Sequence, residues 1–172
     1  MPISAPTPPT EEDAYRFGVG KGSEAKLDVL MENMGRINYG PLLLDRKGTE
    51  SVRFGNYCHF GWDIYPLPMD DLSKLSFVQV DKTDLKKPAF YRAVLNIEGD
   101  PKDTFLRLSG WGKGFVTVNG TNIGRYFNAA GPQKTLYVPA PFLRSGENEI
   151  IVFESDGTAS TTLEFLDTPD LG

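Results

Sequence analysis

Cys58 and His59 stand side by side, and a thiol next to an imidazole is the pairing from which a thiolate nucleophile is made. They lie in a stretch that reads as a strand, where neighbouring side chains leave on opposite faces, so the two cannot meet. Cys58 is therefore expected to be a small buried hydrophobe. His59 is the only histidine, which removes Ser-His-Asp triads, zinc hydrolase sites and phosphohistidine chemistry together. Carboxylates are the other source of acid–base work. A retaining glycosidase needs two of them, about 5 Å apart, with one kept protonated by a desolvating setting. Glu98, Asp100 and Asp103 are close in sequence, but they sit in a Gly- and Pro-containing loop where water keeps them ionised. Oxygens of such a loop also suit a structural Ca²⁺; the spacing does not call for one, and no cofactor is expected. Gly18-Val19-Gly20-Lys21-Gly22-Ser23 fails the phosphate-loop pattern, because Tyr15 stands at the first glycine and Gly22 follows Gly20-Lys21. It reads as a flexible connector.

Binding chemistry is better represented. Trp62, Tyr65, Trp111, Tyr126 and Phe127 sit beside Gly, Asn, Gln or Arg. An aromatic face covers the C–H side of a pyranose, while planar amide and guanidinium groups hydrogen-bond its hydroxyls. Trp62, Tyr65, Trp111, Arg125, Tyr126 and Gln133 are accordingly the candidate carbohydrate contacts. Core or interdomain packing makes the stronger demand on Trp62 and Trp111, because large aromatics dominate cores and interfaces. Asn119-Gly120-Thr121 matches the N-glycosylation pattern, but its place in a tight hairpin argues against modification.

The elements that must position these residues are strands. Over 89–97, Tyr91, Ala93, Leu95 and Ile97 point one way, and Arg92 and Asn96 the other. Leu27, Val29 and Met31 alternate with Asp28 and Glu32 in the same manner. Further strands are expected at 104–108, 115–118, 121–126, 135–138, 148–154 and 161–166. Their spacing of about 8–12 residues, with Gly, Pro and Asn between, is that of an all-β sandwich. Asn119-Gly120 supplies the two positive-φ residues of a hairpin turn. Short helical turns are expected at 139–143 and 69–75, and Pro66 and Pro68 suit a strand end or an exposed edge. The region 64–88 reads as a long connection between strands of different sheets.

The chain has 172 residues, below the roughly 200 that a (β/α)₈ barrel needs. A net charge of −5 without a basic block argues against nucleic acid or an anionic membrane as partner. No run approaches the ~20 apolar residues of a transmembrane helix. One cysteine excludes an internal disulfide. Residues 1–13 have neither the charged start nor the apolar run of a secretory signal, and the compartment is left open. Residues 1–25, rich in Pro, Ser and Thr with Glu11-Glu12-Asp13, read as a flexible arm.

Two motifs are more specific. Leu27-Asp28-Val29-Leu30-Met31-Glu32-Asn33-Met34-Gly35-Arg36-Ile37-Asn38-Tyr39-Gly40, followed by Leu44-Asp45-Arg46-Lys47-Gly48, resembles a signature of the family 35 glycoside hydrolases, the β-galactosidases. Gly110-Trp111-Gly112-Lys113-Gly114-Phe115-Val116-Thr117-Val118-Asn119-Gly120 runs on into Ile123-Gly124-Arg125-Tyr126-Phe127 and then Gly131-Pro132-Gln133-Lys134-Thr135-Leu136-Tyr137-Val138-Pro139. This second stretch is similar to the last jelly-roll domain of the same enzymes. The likeness covers roughly residues 26–155.

The resemblance implies an antiparallel jelly-roll β-sandwich of the galactose-binding-domain-like kind. In that family catalysis belongs to two glutamates on a separate barrel, so no catalytic residue is expected here. The family's Asn-Tyr-Gly turn places its tyrosine, here Tyr39, at the rim of the galactose pocket. Phe127 stands where the family usually has tryptophan, which weakens sugar stacking there. Residues before Leu27 do not resemble the strands that should precede the signature, which implies a truncated or replaced first β-domain. The expected organisation is an arm (1–25), a remnant of a preceding β-domain (26–48) and the jelly roll (49–172). The strand at 27–32 should pair with a sheet edge or another chain. The expected function is non-catalytic support of a β-galactosidase, with a hydrolase catalytic domain as partner. The alternative is a carbohydrate-binding module for galactose-containing glycans, and a homo-oligomer is compatible with either.

Overall fold

The computed structural model describes residues 26–33, 35, 39–41, 43, 48–79 and 85–172. The expected arm, the connector at 18–23, and positions 34, 36–38 and 44–47 of the signature lie outside the described residues. The chain divides into two compact units, Met1–Ile64 and Tyr65–Gly172.

In the first unit, Val52–Phe54 (β1) and Tyr57–His59 (β2) form an antiparallel hairpin. Gly55 closes it with φ 58°, the positive first position of a Gly-Asn turn. Cys58 is exposed, not buried as expected, because a two-stranded ribbon buries neither face by itself. The Phe54 and His59 rings meet edge-on with centroids 4.7 Å apart. The strand expected at 27–32 is not formed. Residues 26–33 lie in no ladder, and Val29, Leu30 and Met31 are exposed. Alternation marks a candidate face, but a strand also needs a neighbour for its backbone N–H and C=O groups.

The second unit is the sandwich. Its strands are Ala89–Ile97 (β3), Thr104–Arg107 (β4), Lys113–Val118 (β5), Thr121–Phe127 (β6), Thr135–Val138 (β7), Gly146–Glu154 (β8) and Glu164–Leu166 (β9). A four-stranded sheet has the order β3-β8-β5-β6 and a three-stranded one β7-β4-β9, with every pairing antiparallel. A 3₁₀ turn, Ala140–Phe142, follows Pro139. Asn119 (φ 49°) and Gly120 (φ 82°) form the tight turn between β5 and β6. The stretch 64–79 holds no strand, so Pro66 and Pro68 end or edge none; a single turn at 72–75 is closed by Leu75 N–H on the Leu72 carbonyl.

The core lies between the sheets. Leu106, Val116, Val118, Val138, Ile150 and Val152 are sealed from solvent, and Tyr91, Ala93, Leu95 and Ile97 of β3 pack against them. Each aliphatic side chain so buried contributes about 1.5–3 kcal/mol. β8 is a central strand, flanked by β3 and β5, with apolar residues on both faces. Its outward Phe153 lies between Phe90 and Phe115, at centroid distances of 4.8 and 5.5 Å. Its inward row reads Asn148, Ile150, Val152, Glu154, apolar in the middle and polar at both ends. Asn148 and Glu154 are both fully buried, roughly 20 Å apart along the strand.

Asp103, one of the loop carboxylates, is a staple. It accepts hydrogen bonds from the Ala140 N–H and the Tyr137 hydroxyl, both at 2.8 Å. Those bonds, the Ala140 one first, hold its carboxyl below the usual aspartate range. The folded form therefore takes up its proton at lower pH than the unfolded chain. Its stabilisation is complete above the ordinary aspartate value and is lost as pH falls through the lowered one. Thermal melts from pH 6 to pH 2 should show a shallower acid decline for Asp103→Asn than for the parent. Parallel curves would contradict this assignment.

Candidate functional site

The loop between β6 and β7 builds a hydrogen-bonded polar surface on the second unit. β6 carries Arg125 outward, Tyr126 inward and Phe127 outward, as pleating requires. Asn128 then turns the chain: its backbone N–H donates to the Gly112 carbonyl, and its Nδ2 to the carbonyls of Leu108 (2.7 Å) and Trp111 (2.8 Å). Lys134 Nζ closes the loop by donating to the carbonyls of Asn128 (2.9 Å) and Gly131 (3.1 Å). Its backbone N–H donates to the Asp170 carbonyl, and the Asp170 carboxylate accepts from Arg107 at 2.7 Å.

A concavity of about 250 Å³ results, lined by Arg125, Phe127, Asn128 and Gln133 among others. A second, of about 410 Å³, is lined by Arg107, Ser109, Trp111 and Asp170, and shares Asn128 and Lys134 with the first. Phe127 is 37% exposed, with Lys113 Nζ 5.3 Å from its ring centroid. The arrangement offers amide and cationic donors, main-chain carbonyls and one accessible ring, which is the chemistry of non-covalent recognition. Asp170 is the carboxylate at these concavities, and the Gly172 N–H and Arg107 hold its carboxyl below the usual range.

The six candidate carbohydrate contacts divide between the two units, Trp62 in the first and the other five in the second, and those five differ in exposure. Arg125 and Gln133 line the first concavity, with Gln133 Nε2 donating to the Thr135 carbonyl at 2.6 Å. Trp111 and Tyr126 touch the concavities only at their margins. They are 4% and 6% exposed, so neither presents a face for a sugar to stack on. Trp111 instead packs edge-on against Tyr91, at 5.1 Å, and donates from Nε1 to the Thr162 carbonyl at 3.0 Å. Tyr65 is 79% exposed and lines neither concavity. Trp62 and Tyr39 belong to the first unit. Trp62 Nε1 donates to the His59 carbonyl at 2.9 Å, and Tyr39 is 88% exposed.

Among the described residues one ionisable pair is buried: Tyr126 donates from its hydroxyl to Glu154 Oε2 at 3.0 Å. Glu154 also accepts from the N–H groups of Gly112 (2.7 Å), Lys113 (3.1 Å) and Asp156 (2.9 Å). Burial first, then the adjacent Glu154 charge, pushes the Tyr126 phenol far above its ordinary value, so it stays neutral. Glu154 lines neither concavity. Four donors saturate it, which makes the pair a core fastening, not an acid–base site. Among the described residues, no group of three or more His, Cys, Asp or Glu is placed to hold a metal. Asn128, Lys134, Arg107 and Asp170, which shape the surface, went unnoticed in sequence. The Arg107–Asp170 bond spans 63 positions and has no local signal.

This architecture, with its core aromatics and hydrogen-bonded polar loops, defines a galactose-binding-domain-like β-sandwich module. Residues 88–148 match the family model for the β-galactosidase galactose-binding domain, and residues 10–68 that for the β-galactosidase first all-beta domain. The second match begins upstream of Leu27, where the motifs legible in the sequence had stopped. The chain is 46% identical over 156 residues to human β-galactosidase-1-like protein 2, covering 85% of this chain and 24% of that protein. It is 41% identical over 167 residues to β-galactosidase 1 of Dictyostelium discoideum, covering 92% and 25%. To β-galactosidase 17 of Arabidopsis thaliana it is 37% identical over 167 residues, covering 86% and 24%. The chain carries β-domains of the β-galactosidase family, the galactose-binding and the first all-beta domain. It spans about a quarter of the length of these relatives.

Proposed function

We propose that this chain is the supporting β-domain portion of a glycoside hydrolase family 35 β-galactosidase, and that it does not turn over galactosides by itself. The observation that carries this reading is how the polar groups are used. Glu154, Asn148, Asn128 and Asp170 are all engaged in bonds internal to the sandwich. Among the described residues at the two concavities, the carboxylate of Asp170 has no protonated partner across from it. Two carboxyl groups astride a glycosidic bond are the minimum for this hydrolysis. The partner is a hydrolase catalytic domain, for which a rigid, internally satisfied sandwich is a suitable buttress. Incubating the chain alone with a chromogenic galactoside should release no more chromophore than buffer does. Turnover that survives chromatographic repurification would refute the proposal.

A second reading is favoured by the accessible Phe127 ring beside Arg125 and Gln133: recognition of a galactose-containing glycan at the first concavity. Isothermal titration with galactose, lactose and β-galactan separates the two. Heat abolished by Phe127→Ala and reduced by Gln133→Ala supports binding. Silence at millimolar sugar leaves support as the function.

A further inference from the structure

The Asn119-Gly120-Thr121 sequence has the form of an N-glycan acceptor, yet its asparagine is the hub of a hydrogen-bond clamp at one end of the sandwich. Asn119 Nδ2 donates to the Phe142 carbonyl and to Asn148 Oδ1, both at 2.8 Å. Its Oδ1 accepts from the Glu149 N–H at 3.0 Å, and its backbone N–H donates to the Glu149 carbonyl at 2.8 Å. An amide nitrogen has two hydrogens, and both are in use. The partner Asn148 is fully buried. Its Oδ1 also accepts from the Arg144 N–H, and its Nδ2 donates to the carbonyls of Arg144 and Gly146. The clamp thus ties the β5–β6 turn to the 3₁₀ turn and to the start of β8.

We propose that Asn119 is a conditional glycan acceptor, open to modification only until the sandwich closes and withheld afterwards by this clamp. Glycosylation forms a bond from Nδ2 to the anomeric carbon of an oligosaccharide carried on a lipid diphosphate. The bond from that carbon to the phosphate oxygen breaks, the diphosphate leaves with the electron pair, and Nδ2 gives up one proton. That proton is one of the two the clamp uses, and the sugar would have to occupy the volume of Phe142 or Asn148. The glycan and the clamp therefore exclude one another. The clamp's partners lie 23–30 positions downstream, so during synthesis the acceptor is presented before they can engage it.

The test is expression of the chain behind a secretion leader in a glycosylating eukaryotic host, with occupancy of Asn119 read by peptide N-glycosidase (amidase) treatment in ¹⁸O water, which turns a glycosylated asparagine into ¹⁸O-labelled aspartate, and peptide mass spectrometry. The glycan should be absent from the soluble fraction that melts cooperatively and present in the retained or aggregated fraction. Asn148→Ala, which removes the partner and leaves the acceptor sequence intact, should raise occupancy. Thr121→Val, which removes the acceptor hydroxyl at an exposed position, should abolish the modification, leave the melting temperature unchanged and raise the soluble yield. A glycan on Asn119 in cooperatively melting protein overturns the proposal. So does its absence from every fraction, the Asn148→Ala chain included.

Discussion

Gly114→Ala is expected to lower the melting temperature by about 10 °C or more, a larger loss than any other single methyl group should cause in this sandwich. Gly114 pairs with Glu154 where β5 runs beside β8. The Phe153 carbonyl oxygen, which accepts from the Tyr126 hydroxyl at 3.0 Å, fills the space a side chain at 114 would need. A β-carbon there would lie 1.7 Å from that oxygen and 2.8 Å from its carbon. Backbone atoms of a central strand cannot rotate away as a side-chain tip can, so the two strands would have to separate. Separation would break both the ladder and the Tyr126 bond. A cost of about 3 kcal/mol or more follows, the upper range for overpacking. Gly131→Ala is the control, since a β-carbon there meets nothing nearer than 3.9 Å. Equal melting temperatures for the two variants would show that the strands do not approach this closely.

Removal of the buried carboxylate should be nearly as damaging. Glu154 faces only donors: Gly112 N–H and the Tyr126 hydroxyl at Oε2, Lys113 N–H and Asp156 N–H at Oε1. Glu154→Leu would strand the three N–H groups and leave the Tyr126 hydroxyl only the Phe153 carbonyl, and leaving buried donors unpaired or a charge partner missing typically costs about 3–5 kcal/mol. Glu154→Gln is no conservative exchange here, because it turns an NH₂ donor toward two existing donors. Tyr126→Phe removes one donor and should cost only about 1–2 kcal/mol. In the double variant Glu154→Leu with Tyr126→Phe, the loss should be smaller than the sum, since each single change already removes the Tyr126–Glu154 bond. Denaturant melts at neutral pH provide the comparison. Additive losses would mean that the Tyr126–Glu154 bond contributes nothing.

Much of the sandwich was legible because its signals are local. The alternation of Tyr91, Ala93, Leu95 and Ile97 marks the inward row of β3, and the strand runs over the same nine residues, Ala89–Ile97. Asn119-Gly120 announces its turn through the positive φ that those two residues tolerate. Pro139 precedes the 3₁₀ turn. The strand expected at 161–166 is shorter, Glu164–Leu166, because only those residues pair with β4. Where the reading failed, a neighbour was needed that alternation does not supply. Residues 27–32 have the pattern of a strand and no ladder, and Cys58 has the pattern of burial and no covering layer.

The surface that could bind a ligand was legible only in part. Arg125 and Gln133 were found because their types suit a sugar, yet Trp111 and Tyr126, chosen on the same ground, are spent in the core. Residue type states what a side chain can do; which side of the sheet it occupies depends on the register of its strand. The chain's order of residues determined an all-β sandwich, most of its strands and its turns, because backbone sterics and a two-residue period act over a handful of positions. Only the tertiary structure decided that Glu154 meets Gly112 and Tyr126, that Asn148 meets Asn119, and that Arg107 meets Asp170. These pairs are 28 to 63 positions apart and are brought together by the β3-β8-β5-β6 and β7-β4-β9 orders, which no local pattern encodes.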